Sequence, residues 1–169
     1  MENIDIIIEA MHLLKQADMK FHLFIVGSGD LYDELTKKVL NLNLENFVTL
    51  TGQKNSYELK EYYKNSHIYI QASGYEGLPH VLLEAMNHEL LVISTPIGGS
   101  NEILEDGKNG LILDLIDGKK PSSEYLNQLI LKSINNKELR DEKIINAKNL
   151  LHNKFDESKN FQEYLKVFQ

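Results

Sequence analysis

Residues 67–94, HIYIQASGYEGLPHVLLEAMNHELLVIS, contain an apolar run, a glycine-rich turn, a helical segment and a second apolar run. His67–Ile70 and Leu90–Ser94 carry mostly apolar side chains at consecutive positions, which is typical of strands buried on both faces of a parallel sheet. The segment between them, from Pro79 to Asn87, has apolar residues at the three- and four-residue spacing of a helix. This stretch therefore predicts a strand–helix–strand unit.

The same alternation of strands and helices extends over most of the chain. Further strands are predicted at residues 21–26, 47–50 and 110–113, with amphipathic helices between them, and Asp30 is the expected N-cap of the helix after the first glycine turn. The predicted fold class is α/β, a Rossmann-like parallel sheet with helices on both faces. We expect one domain over residues 1–169, in which a loop at Asp117–Pro121 precedes a helical tail from about residue 122.

Composition narrows the range of functions. The chain has 169 residues, of which 42% are hydrophobic, and a formal net charge of −7, which argues against a nucleic-acid clamp or a polybasic membrane surface. It has no cysteine, which excludes disulfides and thiolate metal sites. Met1–Asp5 lacks the basic start of a signal peptide, and no apolar run reaches the roughly 20 residues of a membrane span. We therefore expect a cytoplasmic protein.

Three glycine-containing segments follow predicted strands, at Gly27–Gly29, Ser73–Pro79 and Ile97–Ser100. The carboxyl ends of parallel strands meet at one edge, where such sheets bind ligands. Pro79 suits the first position of a helix, and the N–H groups of residues 80–82 in that first turn would form a seat for a phosphate.

Two carboxylates accompany this phosphate seat. Glu76 lies just before the turn and Glu84 lies inside the following helix. Carboxylates would repel a phosphate unless each binds another group, and they accept strong hydrogen bonds from hydroxyls. The pattern therefore favours a ligand in which phosphate lies between two polyols, as in a nucleotide sugar.

Other ligands fit the sequence less well. The segment that starts at Gly27 resembles a dinucleotide-binding G-x-G-x-x-G pattern, but Tyr32 replaces the third glycine and the expected downstream acid is missing. The six histidines show no metal-ligand spacing, and the chain contains neither a G-x-S-x-G elbow nor a Walker lysine loop. We expect no metal site and no cofactor.

Taken together, these motifs resemble those of the retaining glycosyltransferases of the GT-B fold, in family four (group 1). Glu76–Met86 resembles the Glu-(seven residues)-Glu segment of that family. Four further segments are similar to its I-V-G-x-G-x-L, V-x-F-L-G, G-G-x-x-E and D-G-x-N-G-L patterns; they are Val26–Leu31, Val48–Gly52, Gly98–Glu102 and Asp106–Leu111. The order and spacing agree over nearly the whole chain.

The resemblance implies that this chain is the C-terminal domain, which binds the nucleotide-sugar donor, UDP- or GDP-linked. Glu84 would bind the ribose hydroxyls and Glu76, as the catalytic residue, the transferred hexose. The diphosphate and sugar would contact the backbone of Gly77, Leu78, His80, Val81 and Leu82, with Gly27 close by and Gln53 and Lys54 beside the base. The parent enzyme would transfer the hexose, without a metal and with retention, to a glycan or lipid-linked acceptor, in polysaccharide biosynthesis of bacterial type at the inner face of the membrane.

The sequence also departs from the family pattern. Glu89 replaces the glycine that normally closes the helix, at a cost of about 1 kcal/mol. Compared with the family pattern, the chain is expected to lack the family domain's first strand, with its arginine and lysine, and the N-terminal acceptor domain. Without that strand, strands 21–26 and 67–71 would either pair with each other or expose edges that favour self-association. The isolated chain is therefore expected to be inactive, and the alternatives are a non-catalytic interaction module with the same fold and a related GT-B epimerase.

Overall fold

A computed structural model describes residues 3–73, 80–118 and 120–155 of the chain. The expected alternation of helices and strands is present through residue 113. Within the described ranges the elements are, in chain order, α1 (Ile4–Gln16), β1 (Leu23–Val26), α2 (Tyr32–Asn41), β2 (Val48–Gly52), α3 (Ser56–Lys64), β3 (Ile68–Gln71), α4 (His80–Asn87), β4 (Leu91–Ser94), α5 (Ser100–Ile103), β5 (Leu111–Ile112), β6 (Leu115–Ile116), β7 (Lys120–Pro121), α6 (Ser123–Asn135) and α7 (Lys137–Phe155).

The strands from β1 to β5 form two parallel groups. β1 pairs with β2, with Leu23 opposite Val48, and β3–β4–β5 form a second group, with Tyr69 opposite Val92. Because all these pairs are parallel, the carboxyl ends within each group lie at one edge. The predicted parallel α/β fold is confirmed.

Helices cover both faces of the strands and divide the core into two clusters. On one face, α1, α2 and α6 pack against alternate strand residues such as Leu91 and Ile93. On the other face, α3, α4, α5 and α7 pack against the intervening residues such as Val92 and Ile112. β4 is buried on both faces, which explains why its sequence is an uninterrupted apolar run.

The two strand groups do not join. In the described part of the chain, β1 has no partner besides β2, and β3 has none besides β4. Of the two outcomes expected for strands 21–26 and 67–71, the structure shows exposed edges.

Two local expectations are wrong. Leu31, not Asp30, is the N-cap of α2, and no side chain caps that end. The expected loop at 117–121 belongs instead to a short antiparallel hairpin, in which Leu115 lies opposite Pro121. Asp117 and Gly118 both have positive φ, as hairpin turns with the Asp-Gly pair require. The part of the expected helical tail that follows residue 155 lies outside the described residues.

Candidate functional site

The carboxyl ends of β1 and β2 are joined by their glycines. The N–H of Gly27 donates to the carbonyl oxygen of Gly52 at 3.0 Å. Gly27 has a φ of +141°, a conformation that residues with a Cβ rarely adopt. Among the described residues, apart from its two chain neighbours, no atom lies within 4 Å of the position that a Cβ at Gly27 would take, so the described part of the chain leaves this backbone open to approach. This arrangement suits a ligand that passes close over the end of β1.

Gln53 and Lys54 follow β2 at the same edge. Gln53 is exposed, while Lys54 is partly buried with its Nζ atom 3.5 Å from Oε1 of Glu58. Glu58 is also fixed by the backbone N–H of Asn55, at 3.0 Å from Oε2. This hydrogen bond, with a smaller contribution from the Lys54 ammonium, holds the pKa of Glu58 below its ordinary value. The ion pair directs the Lys54 side chain from the end of β2 toward Glu58 in the first turn of α3.

The segment between β3 and α4 contains three of the predicted site residues, Glu76, Gly77 and Leu78, which lie outside the described residues. Its two ends are well anchored. The Thr95 hydroxyl donates to the carbonyl oxygen of Ser73 at 2.8 Å, which ties the residue before the segment to the strand next to it. After the segment, Leu82 is fully buried and anchors the first turn of α4 in the core.

The three predicted residues of the first turn of α4 differ in their surroundings. His80 and Val81 are half-buried, and Val81 lines a cleft that also borders β1 and β3. Because the Leu82 side chain is in the core, it can offer a ligand only its backbone.

Glu84 lies one turn further along α4 and contacts α3. The Tyr63 hydroxyl is 3.4 Å from Oε2 of Glu84, a long hydrogen bond. The Tyr63 ring stacks on His88, with centroids 5.2 Å apart and planes inclined by 16°. Tyr63 is 6% exposed, so its ring has little freedom to move.

The environment of Tyr63 keeps its hydroxyl protonated. Burial, and then the proximity of Tyr69 and Glu84, raises the pKa of Tyr63 well above its ordinary value. The neutral phenol can therefore donate to Glu84 at any physiological pH. The sequence does not indicate that Tyr63 lies near Glu84, because the two residues are 21 positions apart and only the packing of α3 on α4 brings them together.

Two of the glycine motifs have a structural role. The Asn109 side chain accepts from Glu105 N and donates to Ile103 O, both at 2.8 Å, which closes the turn before β5. A Cβ at Gly110 would lie 2.3 Å from the Leu104 side chain and 2.9 Å from the Val92 carbonyl oxygen, so only glycine fits. In the Gly98–Glu102 segment, the Ser100 hydroxyl bonds the carbonyl oxygen of Thr95 at 2.9 Å and holds α5 against β4.

The described residues contain no cluster of histidine and acidic side chains that could hold a metal ion. Within the same ranges, no helix combines the length and apolar character needed to cross a membrane.

A family model described as "Glycosyl transferases group 1" matches residues 1–150 of the chain. An uncharacterized glycosyltransferase of Methanocaldococcus jannaschii is 34% identical over 159 residues, which cover 93% of this chain and 39% of that protein. The chain thus spans well under half the length of this relative.

Solved structures show the same fold. A mutant of TarM from S. aureus, in complex with UDP, fondaparinux and α-GlcNAc-glycerol, superimposes with a TM-score of 0.82 and 25% identity, covering 99% of this chain and 33% of TarM. The C-terminal domain of LpcC, a glycosyl transferase group 1 family protein from Francisella tularensis, has a TM-score of 0.79 and 26% identity, over 91% of this chain and 80% of that one.

Proposed function

Because the chain belongs to the glycosyl transferases of group 1, we propose that it binds the nucleoside diphosphate sugar from which its parent enzyme transfers a hexose. The observation that carries this proposal is the match over residues 1–150, which includes every predicted site residue. The similarity to TarM, which was solved with UDP, supports a uridine nucleotide as the first donor to test.

In the proposed complex, the donor lies across the carboxyl edge of the strands. The diphosphate would approach the first turn of α4, where backbone N–H groups and the helix dipole stabilise negative charge. Gly27 would leave room for the ligand beside β1, and Gln53 and Lys54 would border the base. The Gly77 and Leu78 backbone would extend the phosphate seat.

Glu84 would bind the ribose hydroxyls, and Tyr63 would position it. A carboxylate oxygen that accepts from Tyr63 still has free lone pairs for a sugar hydroxyl. The Tyr63 ring stacks on His88, and this contact fixes the position of the hydroxyl that donates to the Glu84 carboxylate. Glu76 would accept hydrogen bonds from the hydroxyls of the transferred hexose.

The proposed reaction retains the configuration of the sugar. The bond between C1 of the hexose and the diphosphate oxygen breaks, the acceptor oxygen binds C1 on the same face, and its proton passes to the leaving phosphate. No metal takes part. The protein would accelerate this step by stabilising charge on the leaving diphosphate with fixed dipoles.

A second domain of the parent enzyme would bind the acceptor, which would be a glycan or a lipid-linked sugar at the inner face of the membrane. The chain spans 39% of its M. jannaschii relative, which leaves ample length for such a domain in proteins of this family. We therefore propose that the isolated chain binds donor but does not transfer sugar.

The test is a calorimetric titration of the chain with UDP, UDP-glucose, GDP and ADP. We expect saturable one-to-one binding of one nucleotide, with the dissociation constant raised at least about tenfold by Glu84→Gln, since a hydrogen bond to a charged group contributes about 1.5–3 kcal/mol. Tyr63→Phe should weaken binding by a smaller factor of about two to five. It removes only the long hydrogen bond that positions Glu84, and no contact with the nucleotide itself.

Glu89→Gln is the matched control, because it makes the same change of charge just beyond the end of α4, on an exposed side chain. If Glu84→Gln binds as tightly as this control, Glu84 does not bind the nucleotide. If a folded chain binds none of the four ligands at millimolar concentration, the proposed function is wrong for this chain.

A further inference from the structure

The cleft between β1 and β3 carries positive charge in a molecule that is negative overall. It encloses about 860 Å³ and is bordered by residues 20–26 and 65–73. Although the chain has a formal net charge of −7, no aspartate or glutamate is among the described residues that line this cleft. The charged and imidazole side chains of that lining are all basic: Lys20, His22, His67 and Arg140. The cleft therefore favours anions.

α1 runs along the cleft and defines its two ends. The Asn3 N–H donates to the carbonyl oxygen of Ala72 at 3.0 Å, so α1 begins at the carboxyl end of β3. Ile4 in the first turn of α1 and Leu14 in its last turn both line the cleft. α1 therefore ends at the amino end of β3.

Lys20 and His67 lie at this amino end. Lys20 follows α1 and precedes β1, which begins at Leu23. His67 directly precedes β3. The two basic side chains thus come from opposite walls of the cleft, at the end where both strands begin.

Arg140 reaches the same end from α7. α6 also lines the cleft, with Ile134, and it starts beside the start of α1, where Lys120 Nζ and Asp5 Oδ2 are 3.7 Å apart. The last turn of α6 is therefore near the last turn of α1. There Nη1 of Arg140 donates to the carbonyl oxygen of Ser133 at 3.2 Å, which fixes the guanidinium at the amino end of the cleft.

Three of the four basic side chains keep hydrogen-bonding capacity for a ligand. In the described part of the chain, the Lys20 ammonium and the His67 imidazole make no hydrogen bond or ion pair, and both side chains are exposed. The guanidinium of Arg140 has five N–H donors, and one of them bonds Ser133. His22 differs, because its Nε2 atom is bonded to the Thr49 hydroxyl at 2.8 Å.

The ends of the helices account for only part of this cluster. Carbonyl groups at a helix end attract cations, and Arg140 caps α6 in this way. Lys20 and His67 donate to neither helix end among the described residues. Helix capping therefore explains Arg140 but not its two neighbours.

We propose that Lys20, His67 and Arg140 bind a phosphoryl group at the amino end of the cleft. A guanidinium forms paired hydrogen bonds with phosphate oxygens, an ammonium adds a compact positive charge, and an imidazole donates through its N–H. Because the three groups come from different elements, they can contact one phosphate from different sides. The phosphate belongs either to a soluble compound or to a lipid headgroup, which present the same oxygens.

This site is separate from the one proposed for the nucleotide sugar. About 20 Å of strand lie between the amino end of the cleft and the carboxyl edge at which the donor would bind. The site is built from residues that the proposed function does not use. It therefore does not rest on that function.

The first test is a titration of the full chain with inorganic pyrophosphate, followed by NMR. We expect saturable binding that shifts the amides of Lys20, His67 and Arg140 and weakens as salt is added, because salt screens the attraction between charges. Pyrophosphate also resembles the diphosphate of the proposed donor. Shifts in the first turn of α4 would therefore concern the proposed function and not this site.

A second titration separates the two sources of the phosphate. It uses vesicles of phosphatidylcholine, alone and mixed with an equal share of phosphatidic acid. Binding of pyrophosphate but not of mixed vesicles would identify a soluble phosphate as the ligand. Binding of the mixed vesicles but not of pyrophosphate, abolished by the variants below, would identify a lipid headgroup.

Two variants locate the binding. Lys20→Gln and Arg140→Gln should each weaken it at least about fivefold, because each removes charge-assisted hydrogen bonds to the phosphate. Lys132→Gln is the matched control, since it makes the same change of charge on an exposed side chain of α6 outside the cleft lining. Lys20→Gln alters an exposed side chain and serves if Arg140→Gln, which loses the cap of α6, does not fold.

Three results would overturn the proposal. The first is a folded chain that binds neither millimolar pyrophosphate nor the mixed vesicles. The second is binding that is as tight in both site variants as in Lys132→Gln, which would leave Arg140 with helix capping alone. The third is a set of amide shifts confined to α4. The nucleotide titration tests the proposed function separately, since none of these three residues is expected to contact the donor.

Discussion

At the residue scale, Glu89 occupies a position that suits glycine. It has a φ of +62°, and the hydrogen bonds Leu90 N to Ala85 O and Glu89 N to Met86 O, both 3.1 Å, close α4 with the turn that usually requires glycine. The helix therefore ends in a turn that usually contains glycine, although Glu89 stands at that position. A bond of 2.6 Å from Lys148 to the Glu89 carboxylate links this turn to α7.

We expect Glu89→Gly to raise the free energy of unfolding by about 0.5–1 kcal/mol. The substitution removes the cost of a Cβ in the left-handed conformation, about 1 kcal/mol, and loses an exposed ion pair that contributes little. Urea unfolding at a constant slope measures the change. Glu89→Gln, which keeps the strained backbone but loses the ion pair, should be no more stable than the parent chain. A glycine variant less stable than the glutamine variant would contradict this explanation.

At the scale of single elements, α3 has the best-defined start of the described helices. The Asn55 side chain accepts from the N–H groups of Tyr57 and Glu58, and the Glu58 side chain accepts from Asn55 N, which completes a capping box. This cap matters for the site, because α3 carries Tyr63 at its other end and follows Lys54 directly.

Asn55→Ala should destabilise the chain by about 1 kcal/mol, the usual value of an N-cap side chain. Asn55→Ser, which restores a capping oxygen, should recover most of this loss in the same urea experiment. Equal stability of the alanine and serine variants would show that the cap does not contribute.

The hydrogen bond that the Glu58 carboxylate accepts in this capping box predicts that the stability of the chain depends on pH. Its pKa is lower in the folded than in the unfolded chain, so its contribution is complete above the unfolded value of about 4.3 and is lost as the pH falls through the lowered folded value. The stability difference between the parent chain and Glu58→Gln should accordingly disappear at low pH.

At the scale of the whole molecule, the two strand groups are held together by helices. α1 packs on both α2 and α6, so it connects β1–β2 with β3–β4–β5 on one face. On the other face Phe24 contacts Tyr62 of α3, with ring centroids 5.2 Å apart, but stays partly exposed. The hydrophobic core is therefore most completely buried around β4 and most exposed at the cleft between β1 and β3.

The rates of amide hydrogen exchange should follow this difference in burial. The Phe24 and Val26 amides, which face the cleft, should exchange at least about a hundredfold faster than those of Val92 and Ile93, because local opening needs less free energy where strand pairing is one-sided. Exchange followed by NMR measures both sets in one sample. Equal protection of the two strands in the monomer would mean that the edge of β1 is covered.

The sequence alone determined the order and type of the main elements, the parallel α/β class and the family, because apolar period and turn chemistry are local properties. It also identified the strained position at Glu89, where the φ angle is +62°. These inferences depend only on neighbours along the chain.

Only the tertiary structure decided which distant residues meet. Tyr63 and Glu84 are brought together by the packing of α3 on α4. The hairpin at 115–121 depends on the pairing of Leu115 and Ile116 with Pro121 and Lys120, which a prediction of a loop at 117–121 did not consider. The separation of β1 from β3 is likewise a property of packing. Whether two strand edges pair is decided by the helices that hold them and by the space between them, and neither is encoded in a local run of residues.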